Sequence, residues 1–122
     1  MSFKDNLTEI ADRIEGSAAA AILGIDGLLI ERYTKDLDPS LDLELIAIEF
    51  TNLLRRSMRT ASDTELGDLR EMVIATDRLT FLLRPITSEY FLLLALNPGG
   101  NVGRARFELR KTQLALESEF AI

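Results

Sequence analysis

Apolar and polar positions along the chain divide it into stretches of helical and strand periodicity. In residues 3–15, Phe3, Leu7, Ile10, Ala11 and Ile14 share one stripe, and Lys4, Asp5, Glu9, Asp12 and Glu15 occupy the other side. That spacing predicts a short amphipathic helix stopped by Gly16. Residues 18–33 read as a β-hairpin, with an apolar run from Ala18 to Ile25, a tight-turn signal at Asp26-Gly27 and a return from Leu28 to Tyr33. Ala18 to Ala21 are small enough to pack closely under a helix. Thr34 to Ser40 is a polar loop containing Asp38-Pro39. Residues 41–61 carry the longest helical pattern, with Ser40 as candidate N-cap, Asp42 and Glu44 in the first turn and Arg55, Arg56 and Arg59 towards the end. After a polar connection over 62–68, Leu69 to Ala75 and Leu79 to Ile86 form a second hairpin around Thr76-Asp77-Arg78. Pro85 marks where its second strand leaves the sheet. Tyr90 to Leu96 is nearly all apolar, as a central strand buried on both faces would be. A loop over 97–101 leads to a last helix from Val102 to about Phe120, its core stripe formed by Val102, Ala105, Leu109, Leu116 and Phe120. The order α-β-β-α-β-β-β-α predicts an α+β domain over residues 1–122: a five-stranded antiparallel sheet with helices on both faces.

Composition narrows the chemistry. The 122 residues include no His and no Cys. This excludes imidazole acid–base catalysis, a Ser-His-Asp triad, thiol nucleophiles, disulfides and histidine or thiolate metal sites. A carboxylate-only metal site stays open on composition; the expectation is a protein without enzymatic activity, cofactor or metal. The net charge is −6, with 7 basic and 11 acidic residues in 1–61 and 7 and 9 in 62–122. Neither half is basic, so nucleic acid is not an expected partner. The amino-terminal stretch Met1-Ser2-Phe3-Lys4-Asp5 lacks the pattern of a signal peptide, and no apolar run reaches the roughly 20 residues of a membrane span. The expected setting is the cytoplasm, without membrane insertion.

Several motifs invite a functional reading. Asn97-Pro98-Gly99-Gly100-Asn101-Val102-Gly103 joins strand to helix and could cradle phosphate, but it has neither the Gly-Lys-Ser/Thr ending of a P-loop nor the G-x-G-x-x-G spacing. A structural turn is the better reading. Arg104, Arg106, Arg110 and Lys111 could meet an acidic partner or a phosphate, or could simply be a solvated face around Glu108. Asp36 with Asp38, and Asp42 with Glu44, fit loop solvation and helix N-terminal charge, and match no EF-hand loop. On the long helix, Leu43, Ile46, Ala47, Phe50, Leu53, Leu54, Met58 and Ala61 span a core stripe of about 140° at about 100° per residue. Leu45 and Ile48 fall on the opposite side with Asn52, Arg55 and Arg59. An apolar pair flanked by Asn and Arg reads as an interface, against the alternative of isolated surface residues. The strand from Leu69 to Ala75 has a β-prone apolar character in Leu69, Met72, Val73 and Ile74. At a sheet edge it would pair with a second copy of the chain, against the alternative of an ordinary strand covered within its own chain.

The sequence resembles the Roadblock, or dynein light-chain-related, family, and within it the bacterial MglB-type regulators of small Ras-like GTPases. Two stretches carry the resemblance: Ala20-Ala21-Ile22-Leu23-Gly24-Ile25-Asp26-Gly27-Leu28-Leu29-Ile30, and Asn97 through Leu109. The resemblance implies an α-β-β-α-β-β-β-α protomer and a homodimer whose sheet continues across the dimer axis through the strand after the long helix. The two long helices would then form one platform for a Ras-like GTPase, here including Leu45, Ile48, Asn52, Arg55 and Arg59. MglB-type members stimulate hydrolysis by rearranging the GTPase active site, without an arginine finger, in signalling that includes cell polarity. The chain shows no long C-terminal tail of the kind some of these proteins carry, so tail-dependent regulation is not expected. The leading expectation is a dimeric GTPase-binding module. The alternatives are a structural adaptor in a motor, kinase or signalling complex, and a nucleotide sensor using the Gly99–Gly103 loop.

Overall fold

The computed structural model describes residues 2–120. The elements follow the expected order: α1 (Phe3–Arg13), β1 (Ser17–Gly24), β2 (Leu29–Thr34), α2 (Leu43–Asp63), β3 (Met72–Ala75), β4 (Thr80–Pro85), β5 (Tyr90–Leu96) and α3 (Val102–Phe120). The five strands form one antiparallel sheet in the order β2-β1-β5-β4-β3. β5 is therefore central, which explains why its apolar run lacks alternation. Leu92, Leu94 and Leu96 enter the core under α1 and α3, while Phe91, Leu93 and Ala95 enter the core under α2. The alanines of β1 divide in the same way, Ala20 towards α1 and α3, Ala19 and Ala21 towards α2, and their small side chains let helices approach both faces. Pro85 closes β4 opposite Phe91, beyond the last β3 pairing at Met72, where its missing N–H disturbs no ladder.

α1 and α3 lie antiparallel on one face. Phe3 stacks on Phe120 at 5.0 Å between ring centroids at one end, and Arg13 meets Glu108 at 3.7 Å at the other. Glu108 corrects its reading as part of a solvated face. It is 1% exposed and also accepts Arg104 at 3.0 Å. It lies within the angular range of α3 that faces the sheet, and its charge is tolerable there because two guanidiniums reach it. Val102, assigned to the core stripe, is instead exposed at the open first turn.

The boundaries of α2 and β3 differ from those expected. The N-cap of α2 is Asp42, whose Oδ1 accepts the Leu45 N–H at 3.2 Å, rather than Ser40. Ser40 belongs to the preceding turn, where its N–H donates to Asp38. That hydrogen bond, reinforced by the Ser40 hydroxyl and the Arg78 guanidinium at 2.7 Å, holds the Asp38 carboxyl below the usual range. α2 runs on to Asp63, so its arginines sit short of the last turn. β3 begins at Met72, and Leu69 lies in the connection before it.

The glycine loop packs closely against the turn after α1. Gly16, at φ +85°, faces Gly100 so closely that a Cβ on Gly16 would stand 2.8 Å from the Gly100 Cα. Asn97 N–H donates to the Gly16 carbonyl at 2.8 Å, and Asn101 Oδ1 caps α3 through Arg104 N–H at 3.0 Å. Gly99 has a similar φ of +87°, but its Cβ direction is open. Gly16→Ala should therefore lose about 2–3 kcal/mol of stability, and Gly99→Ala only about 1 kcal/mol, by urea unfolding. Equal losses would show that the Gly16–Gly100 approach carries no cost of its own.

Candidate functional site

α2 crosses the second face of the sheet alone. Phe50 packs edge-on against Phe81 of β4, with ring centroids 4.8 Å apart. On the other flank, Arg55 Nη1 donates to the Ile25 carbonyl at the β1–β2 turn at 2.9 Å. These two contacts flank the buried stripe of Leu43, Ala47 and Leu54, whose burial fixes which side faces solvent.

The outward side is the one expected from the periodicity. Leu45 is 57% exposed and Ile48 45%, and Asn52, Arg55 and Arg59 are exposed beside them. The face is graded in charge, with Glu44 and Glu49 in the N-terminal half and Arg55, Arg56 and Arg59 in the C-terminal half. Its two predicted arginines differ. Arg55 is engaged twice, by the Ile25 carbonyl and by Asn52 Oδ1. Arg59 has no hydrogen bond or ion pair among the described residues. One assignment changes: Leu53, placed in the core stripe, is 47% exposed. It lies at the margin of that stripe, on the flank shared with Ile46 and Phe50, where the single helix leaves the sheet uncovered.

That margin continues onto β3, which forms one edge of the sheet; no further strand pairs with it among the described residues. The four residues expected at the edge divide between faces. Met72 and Ile74 pair with Leu83 and Phe81 and sit half-buried on the α2 side. Leu69 packs against the same core from outside the strand. Val73 pairs with Leu82 and faces the opposite side, 44% exposed. Ile46, Phe50, Met72 and Ile74 thus make a half-buried apolar border next to free backbone groups. Among the described residues no cluster of three or more carboxylates is arranged to hold a metal ion, and no helix is long and apolar enough to cross a membrane.

A helix-flanked antiparallel sheet with one apolar edge and an exposed helix face defines a small α+β domain. Neither a protein-family model nor a curated protein matches the sequence. Solved structures do. MglC from Myxococcus xanthus is 31% identical, covering 98% of this chain and 100% of that one, with a TM-score of 0.70. A Roadblock/LC7 domain from Streptomyces avermitilis superposes over 100% of both chains with a TM-score of 0.86 at 15% identity. MglB from Myxococcus xanthus has a TM-score of 0.84 at 11% identity, covering 97% of this chain and 86% of that one. The chain belongs to the Roadblock/LC7 family.

The sequence did not disclose that Arg55 anchors α2, because its acceptor is a backbone carbonyl 30 residues away. Arg55→Ala should lower stability by about 1 kcal/mol through loss of that hydrogen bond. Arg59→Ala should change it by less than about 0.5 kcal/mol. Urea titration of the two variants separates anchor from free side chain, and equal midpoints would refute the assignment.

Proposed function

We propose that the chain acts in the cytoplasm as a homodimer that binds a small Ras-like GTPase on the outer face of α2. The observation that carries the reading is the exposed Leu45–Ile48 pair beside the free Arg59, on a helix that Arg55 and Phe50 hold in place. An apolar centre with a basic rim is the composition of a protein-binding surface. Membership of the Roadblock/LC7 family, together with the resemblance to MglB-type regulators, supports a GTPase as the occupant. The β3 edge and its apolar border support dimerisation: pairing with a second copy would satisfy the free backbone groups and cover Met72, Ile74 and Leu53 together.

The module would regulate by binding one nucleotide state, or the transition state of hydrolysis, more tightly than the others. Arg55 is poorly suited to be an arginine finger, since reaching a phosphate would break both of its hydrogen bonds. Its role is to orient the platform, and GTPase activation would come from rearranging the partner's own catalytic groups.

Ile48→Asp is expected to leave the fold and dimer intact while weakening GTPase binding at least about tenfold. The measurement uses the Ras-like GTPase encoded nearest to this gene, following both affinity and GTP loss. Wild-type protein that neither binds that GTPase nor changes its rate would overturn the GTPase reading, and stable partners of other kinds would place the chain among adaptors. Val73→Arg places like charges on both sides of the shared edge, so light scattering should report a protomer in place of a dimer. An unchanged mass would overturn dimerisation through β3.

A further inference from the structure

Arginines from three separate elements converge at one end of the sheet, away from the outer face of α2. Arg70 precedes β3, Arg84 stands near the end of β4 and Arg110 lies on α3, and together they line a groove of about 760 Å³. Leu66 and Leu69 of the α2–β3 connection and Leu114 of α3 add apolar lining. Leu66 and Leu114 are both largely exposed there.

The charges are unevenly matched. Arg84, the most buried of the three, holds Glu71 at 3.2 Å and donates to Gln113 Oε1 at 2.7 Å, and Arg106 reaches the same Glu71 carboxylate. Glu71 is therefore committed twice. Asp68 and Glu117 also line the groove, and Gln113 donates to Glu117. Among the described residues, neither Arg70 nor Arg110 forms an ion pair. Burial, together with the nearby charges of Arg110, Arg70 and Arg106, pushes the Arg84 guanidinium below its ordinary value in spite of Glu71. With Arg84 paired to Glu71, the groove keeps the unpaired charges of Arg70 and Arg110 on a chain whose net charge is −6.

We propose that this groove docks an acidic, leucine-bearing segment of a partner protein, its carboxylates on Arg70 and Arg110 and its apolar side chains against Leu66 and Leu114. A guanidinium fork matches a carboxylate in two parallel hydrogen bonds. The apolar lining gives a free phosphate nothing to bind. Asp68 and Glu117 on the rim would repel a uniformly charged nucleic acid, whereas a peptide can space its carboxylates to avoid them. The groove also takes in Met58 and Ser62 at the end of α2, but none of the residues named for the GTPase platform lines it, so the two surfaces can be tested separately.

The test titrates isotope-labelled full-length chain with a synthetic peptide bearing Leu at every third or fourth position between Glu and Asp. A counterpart with Gln and Asn replacing the acids, inorganic phosphate, and single-stranded RNA form separate arms. Saturable NMR shifts at Leu66, Arg70, Arg110 and Leu114 are expected with the acidic peptide alone, weakening as salt is raised. Arg110→Glu should weaken that binding at least about tenfold with an unchanged melting temperature, Arg110 being exposed and unpaired. The proposal is overturned if the acidic peptide fails to bind, if the neutral counterpart binds equally, if phosphate or RNA reproduces the shifts, or if they map to the outer face of α2.

Discussion

The rest of the molecule follows from a mismatch of widths. Five strands at a spacing of about 4.8 Å make a sheet about 20 Å across, and a helix with its side chains covers about 10 Å. Two helices, α1 and α3, close one face, and its core residues are almost fully buried. The other face has only α2, so apolar side chains beside it stay half-buried: Ile46 and Phe50 on the helix, Met72 and Ile74 on β3. Leu53 stands open at the same margin. A chain that covered this margin itself would need a fourth helix. This chain leaves it next to a free strand edge, where a second copy would supply both the missing cover and the missing hydrogen bonds.

The same geometry makes α2 a platform. A helix packed alone on a sheet has a wide outer arc, and its orientation depends on contacts along its flanks. Phe50 on Phe81 secures one flank and Arg55 on the Ile25 carbonyl the other. Leu45, Ile48 and Arg59 are thereby displayed without packing constraints of their own. Apolar residues there contribute nothing visible to the core, which is why a role in contact accounts for them better than a role in folding.

Legibility from the sequence tracked how local each cause is. Helical angle alone separated Leu45 and Ile48 from the core stripe, and strand character located β1, β4 and β5. Leu53 was misplaced because it lies at the stripe boundary, where burial depends on what the sheet puts opposite. Val73 was grouped with Met72 and Ile74 because an apolar run does not show its faces; the register with Leu82 does. Ser40 and Asp42 were both good caps by type, and only backbone geometry selects Asp42. Glu108 looked like part of a solvated run because its partner Arg13 comes from α1. The family resemblance rested on local stretches, the first hairpin turn and the junction into α3, and these formed as expected.

Charge shows the limit of local reading most clearly. A total of −6 suggests an acidic surface throughout, yet the fold gathers arginine in two places. On α2 the gathering is sequential, Arg55, Arg56 and Arg59 within little more than one turn, and periodicity reveals it. At the end of the sheet it is tertiary, Arg70, Arg84 and Arg110 from a connection, a strand and a helix. Spacing along α3 alone puts Arg106 and Arg110, four residues apart, on the same side of the helix. The fold separates them, since Arg106 closes on Glu71 while Arg110 keeps its charge at the groove. Ion pairing between elements thus decides which basic residues neutralise one another and which stay available, and that decision is made by the strand order β5-β4-β3 rather than by spacing along the chain.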